Sequence, residues 1–124
     1  MNKILVIEDE EQIQQILGER LGAEGFEVIK AFDGEEGIKI SFEQHPDLII
    51  LDLLMPKVDG IAALEKIRAD SWGKSVPVLV LTNLSDVSKM ESVVHLQVSG
   101  YLVKADWKLE DVVAKIREIL HLHQ

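Results

Sequence analysis

The chain has 124 residues, 22 of them acidic and 13 basic, for a formal charge of −9, and it contains no cysteine. A disulfide framework and a thiolate metal site are therefore excluded, and the charge argues against direct nucleic-acid binding, because such a surface repels phosphate backbones and anionic lipid heads. No apolar run approaches the ~20 residues that cross a bilayer, and the apolar block at residues 4–7 is too short for a signal peptide, so a cytoplasmic protein with no membrane insertion is expected.

With 47% apolar residues at this length, one domain over residues 1–124 with its own core is expected. Lys3, Ile4, Leu5, Val6 and Ile7 form a β-branched run that stops at Glu8, Asp9, Glu10 and Glu11. Ile13, Ile16, Leu17 and Leu21 then trace one helix stripe, closed by Gly22 and Gly25, and the acids in its first turn suit the positive end of the helix dipole. Residues 26–32 read as a second strand, followed by Asp33 and Gly34 as a turn or helix entry and a weaker helix through Ile38 and Phe42. Between Pro46 and Pro56, the run Leu48, Ile49, Ile50, Leu51 is closed by Asp52, with Leu53 beyond. An unbroken apolar run between turn signals predicts a strand buried on both faces, as in a parallel sheet. Gly60 opens a third helix on Ile61, Leu64 and Ile67, running to about Ala69, and a polar loop over residues 70–75 carries Trp72.

Residues 76–81 predict a fourth strand ending at Thr82, with Pro77 near its start, where a missing N–H is tolerated. Val87, Met90 and Val94 mark a fourth helix, and Gly100, Tyr101, Leu102 and Val103 a fifth strand ending at Lys104. Leu109, Val112, Val113, Ile116, Ile119 and Leu120 give the cleanest stripe, a last helix that Asp106 is placed to cap. The β-α order repeats five times, which predicts one parallel sheet with helices on both faces.

Strand ends concentrate the chemistry. Glu8 and Asp9 follow the first strand, Asp52 closes the third, Thr82 the fourth and Lys104 the fifth, and in a parallel sheet these ends share one edge. Three converging carboxylates require a cation, and oxygen-only ligands favour Mg²⁺ over zinc. A hard divalent ion beside a carboxylate, a hydroxyl and an ammonium is equipment for phosphoryl transfer, with Asp52 available as the nucleophile.

In this order and spacing the motifs resemble the receiver domain of two-component response regulators. They comprise Val6-Ile7-Glu8-Asp9-Glu10, Pro46-Asp47-Leu48-Ile49-Ile50-Leu51-Asp52, Met55-Pro56-Lys57-Val58-Asp59-Gly60, Leu81-Thr82 and Tyr101-Leu102-Val103-Lys104, and the likeness covers essentially the whole chain. The resemblance implies a flavodoxin-like (βα)5 doubly wound sheet of order 2-1-3-4-5. It implies that Asp52 accepts phosphate from a sensor histidine kinase or phosphotransfer protein, with Mg²⁺ held by Glu8, Asp9, Asp52 and the backbone carbonyl of Leu54. By the same resemblance Lys104 pairs with the phosphoryl group, Thr82 hydrogen-bonds it, and Tyr101 changes rotamer as the readout. A surface made of the fourth helix, the fifth strand and the last helix would then switch for a downstream protein target. Such a chain is no enzyme in the ordinary sense, catalysing only its own phosphorylation and dephosphorylation.

Some positions depart from the family's pattern. Ala105 stands where the family usually has proline after the lysine, which predicts a trans bond or a rearranged loop there, because a non-proline cis bond costs ~2.5 to 4 kcal/mol. Asn83 is larger than the usual residue and narrows access to Asp52, while the apolar Leu54 and Leu84 are placed to exclude the attacking water and prolong the phosphorylated state. A pseudo-receiver, kept as an interaction module without phosphotransfer, is the alternative. A flavodoxin-type electron carrier is disfavoured because its phosphate loop would be Glu8-Asp9-Glu10-Glu11. His45 and His95 read as surface residues, His121 and His123 as a frayed end, and Trp107 as either packed on the last helix or an exposed partner anchor. From the sequence, no output domain is expected after the last helix, and either a stand-alone receiver that acts by protein contact or a piece of a longer regulator is expected.

Overall fold

Alternation between β-branched runs and amphipathic stretches becomes alternation of strand and helix. The computed structural model describes residues 2–53, 59–82, 91, 94–103 and 108–121. Strand β1 (Lys3–Ile7) leads into helix α1 (Glu11–Ala23), β2 (Glu27–Ala31) into α2 (Gly34–Gln44), and β3 (Leu48–Asp52) into α3 (Gly60–Ala69). Strands β4 (Val78–Thr82) and β5 (Gly100–Val103) follow, with a short 3-10 turn at Val94–Leu96 between them, and α4 (Leu109–Ile119) comes last. Most of the helix expected around Val87 and Met90 lies outside the described residues.

All strand pairs are parallel and the order is β2-β1-β3-β4-β5, as expected from the sequence. Ile7 stands opposite both Ala31 and Leu51, Asp52 opposite Leu81, and Thr82 opposite Val103, so the carboxyl ends of the strands form one edge. Every residue of β3 is buried, whereas β2, at the sheet margin, has only Ala31 buried. That difference explains why β3 reads as an unbroken apolar run and β2 does not.

The sheet divides the core in two. Ile4, Val6, Leu48, Ile50, Leu79 and Leu81 face one side, against Leu17 and Leu21 of α1 and Val112, Val113 and Ile116 of α4. Leu5, Ile7, Ile49, Leu51, Val78 and Val80 face the other, against Leu64 and Ile67 of α3 with Ile38 and Ile40 of α2. The polar amino-terminal edge is tied by Asp47, whose Oδ2 accepts from the Lys3 N–H at 2.7 Å while its own N–H donates to the Lys3 carbonyl at 2.9 Å.

Helix entries follow local chemistry. Asp33 Oδ1 accepts from the Glu36 N–H at 2.8 Å and Glu36 Oε1 reaches back to the Phe32 N–H at 3.2 Å, a reciprocal cap for α2. Asp59 Oδ1 accepts from the Ala62 N–H at 2.9 Å and caps α3. The last helix differs from expectation. It begins at Leu109, and its first turn is closed by Asp111 Oδ2 accepting from the Lys108 N–H at 3.3 Å. Asp106 lies outside the described residues. In α1 the buried face is Gln14, Leu17 and Leu21, while Ile16 is 46% exposed, so the expected stripe is rotated.

Candidate functional site

The register brings Glu8 and Asp52 together. Ile7 and Leu51 are partners on neighbouring parallel strands, so the residues after them emerge side by side at the carboxyl edge. Glu8 is fully buried, Asp52 is 2% exposed, and Asp9 faces solvent. One carboxylate oxygen from each of the three lies within 4.8 Å of the others. Glu8 Oε1 accepts the Glu10 N–H at 3.2 Å, which turns the chain back toward α1.

Helix α3 closes one wall. Gly60 N donates to the Leu53 carbonyl at 3.0 Å, and a Cβ on Gly60 would collide with the Asp52 carbonyl and the Leu53 Cα. Only glycine lets the start of α3 approach the end of β3 so closely. Two carboxylates ~4 Å apart repel by roughly 4 kcal/mol at an effective dielectric of ~20. Three oxygen donors with that mutual repulsion, two of them buried, form a donor set that fits a hard divalent cation such as Mg²⁺.

Of the expected site residues, the structure thus unites Glu8, Asp9 and Asp52. Leu54 and Lys104 lie outside the described residues, as do Asn83, Leu84, Ala105 and Trp107, and so does the side chain of Thr82. Strand β5, which leads to Lys104, runs parallel to the others with Val103 opposite Thr82. Tyr101 is half-buried, stands opposite Val80, and packs against the core on the α2 and α3 side. His45 and His95 are exposed as expected, although His45 stacks on Trp72 with centroids 4.6 Å apart.

One residue near the site was missed in the sequence. Gln14, 1% exposed, donates from Nε2 to the carbonyls of Val6, Glu8 and Ala31. The available signal was phase. Positions 14, 17 and 21 share a helix face, so a glutamine there is on the buried stripe.

Comparison with known proteins places these features in a family. A family model described as "Response regulator receiver domain" matches residues 4–117. The "Probable transcriptional regulator ycf27" of Porphyridium aerugineum is 43% identical over 118 residues, covering 95% of this chain and 48% of that protein. The "DNA-binding dual master transcriptional regulator RpaA" of Synechocystis sp. is 33% identical, covering 97% of this chain and 49% of that protein. Among solved structures, the receiver domain of a sensor histidine kinase from Pseudomonas aeruginosa, with a magnesium ion coordinated in its active site cleft, superposes with a TM-score of 0.88 at 26% identity, covering 97% of this chain and 98% of that one.

These relatives correct the expected partners. The charge argued against direct nucleic-acid binding, yet the similar proteins are named as transcriptional regulators and one as DNA-binding. The inference from charge failed for a definable reason. A formal charge of −9 describes the surface of these 124 residues, whereas the chain spans about half the length of the curated relatives it matches. Among the described residues, no helix is long and apolar enough to cross a membrane.

Proposed function

This chain belongs to the response regulator receiver domain family, and on that premise we propose that residues 1–124 act as one phosphoacceptor unit, with Asp52 taking phosphate from a histidine kinase. The observation that carries this reading is the convergence of Glu8, Asp9 and Asp52 within 4.8 Å. These three carboxylates, with the carbonyl of Leu54, would hold Mg²⁺. Bound there, the ion supplies charge neutralisation for a transferring phosphoryl group. An Asp52 carboxylate oxygen attacks phosphorus, the bond from phosphorus to the donor's imidazole nitrogen breaks, and the imidazole leaves with the electron pair. Burial of Asp52 keeps bulk water from the acyl phosphate so formed.

Lys104 and Thr82 then bind the new phosphoryl oxygens, which brings about 1.5 to 2 added negative charges to the sheet edge. Tyr101 follows as the readout, biasing the surface around β5 and α4. The output of a regulator built on this unit is control of transcription, in line with the names of its relatives.

The test is incubation of the chain with Mg²⁺ and a small acyl-phosphate donor, read by intact mass. One phosphate is expected on the unaltered chain, and none after Asp52→Asn or with a chelator present. A chain that gains no phosphate under these conditions is an interaction module without phosphotransfer.

A further inference from the structure

The amide of Gln14 meets three main-chain carbonyls, Val6 O at 2.9 Å, Glu8 O at 3.1 Å and Ala31 O at 2.8 Å. An amide nitrogen carries two hydrogens, so at least one is shared. The other end of the side chain does less, since Oε1 has no hydrogen-bond partner among the described residues. Turning the amide over would aim that oxygen at three carbonyl oxygens, so the donor end is the one this position requires.

The three carbonyls surround one peptide. Ala31 O also accepts the Glu8 N–H at 3.0 Å, so Glu8 is held by its N–H directly from β2 and by its C=O through Gln14. Glu8 stands one residue beyond the last β1–β2 pair, Ile7 with Ala31, where the ladder gives way to the loop. Gln14 extends the ladder past its end with a side chain, and the residue it fixes there supplies one of the three converging carboxylates.

We infer that Gln14 is a positioning residue for cation binding, fixing the Glu8 main chain so that the acid cluster is formed before the ion arrives; this rests on the Mg²⁺ reading of that cluster. Residues that orient metal ligands from behind are worth about 10- to 100-fold in metal affinity. Gln14→Met keeps length and burial and removes both donors, while Gln14→Asn keeps the amide and withdraws it by one methylene.

The experiment is an NMR titration of each protein with Mg²⁺, with amide hydrogen exchange measured on the same samples. For Gln14→Met, the dissociation constant is expected to rise about tenfold, with a smaller rise for Gln14→Asn. Exchange should quicken at the Glu8 amide while the β3 and β4 amides keep their protection, a local pattern that a general loss of stability would not give. Unchanged affinity in both variants, beside normal binding by the unaltered chain, overturns the role of Gln14 and leaves the metal reading intact. If Gln14→Met does not fold, the Gln14→Asn affinity decides alone. An unaltered chain that takes up no Mg²⁺, or takes it up equally after Asp52→Asn, defeats the metal reading and the inference with it.

Discussion

Arg68 meets no carboxylate among the described residues and is held by main-chain oxygens instead. Its Nε donates to the Leu96 carbonyl at 2.8 Å, one terminal nitrogen to Gly73 and Val76 at 2.7 Å each, and the other to Gln97 at 3.1 Å. Burial lowers its pKa from the ordinary arginine value, and four carbonyl dipoles compensate the desolvated charge. The side chain thereby joins the end of α3 to the segments that precede β4 and β5. Arg68→Ala is expected to cost about 2–3 kcal/mol in urea denaturation, and Arg68→Lys to recover only part, because an ammonium lacks the planar fork. No sequence pattern announces such a contact, since its acceptors are main-chain atoms as many as 29 residues away. Asp52 was legible for the opposite reason, being a charge that ends an apolar run. Gln14 was hidden because a glutamine on a helix is by default a surface residue.

At the scale of elements, periodicity gave strand and helix order. Asp33 with Gly34 marked a turn or helix entry at α2, and Gly60 marked the start of α3, whereas Asp59 as the α3 cap emerges only from the structure. The last helix begins at Leu109 with Lys108 at its N-cap, and Asp106, the cap expected from the sequence, lies outside the described residues. The phase of α1 was misjudged only at Ile16, which is exposed; the buried line runs through Gln14, Leu17 and Leu21, with Ile13 packed against the same core. Two glycines show how differently one residue type behaves. Gly60→Ala, whose Cβ would strike the main chain of Asp52 and Leu53, is expected to destabilise the protein by about 1–3 kcal/mol and to slow phosphate uptake. Gly22 lies inside α1 with nothing within 4 Å of an added Cβ, so Gly22→Ala should stabilise by about 0.4–1 kcal/mol. Thermal denaturation of the pair checks both signs.

Across the whole molecule, one ion-pair group bridges the first helix and the last. Glu24 Oε1 accepts from Arg117 at 2.9 Å and Oε2 from Arg20 at 3.2 Å, and the hydrogen bond from Arg117, followed by that from Arg20, lowers the Glu24 pKa. A depressed folded-state pKa contributes stability that is present above the ordinary glutamate range and is lost as pH falls through the lower folded value. Urea midpoints measured down through that acid window should fall more steeply for the unaltered chain than for Glu24→Gln, with the difference shrinking at high salt. The acidic balance of the chain was plain from its sequence, but a total charge cannot locate a pair such as this. Strand β3 carries a consequence of its own. Because both its faces are apolar, sliding it by one position would exchange one greasy surface for another, and hydrophobicity alone does not penalise that error. The alignment is instead written in the two aspartates at its borders. Asp47 docks on the Lys3 backbone and Asp52 belongs at the opposite rim, so a slipped chain would lose the first anchor and drag the second into oil. The carboxylate proposed to accept phosphate is thus also a bookmark that tells the sheet where its middle strand must stop.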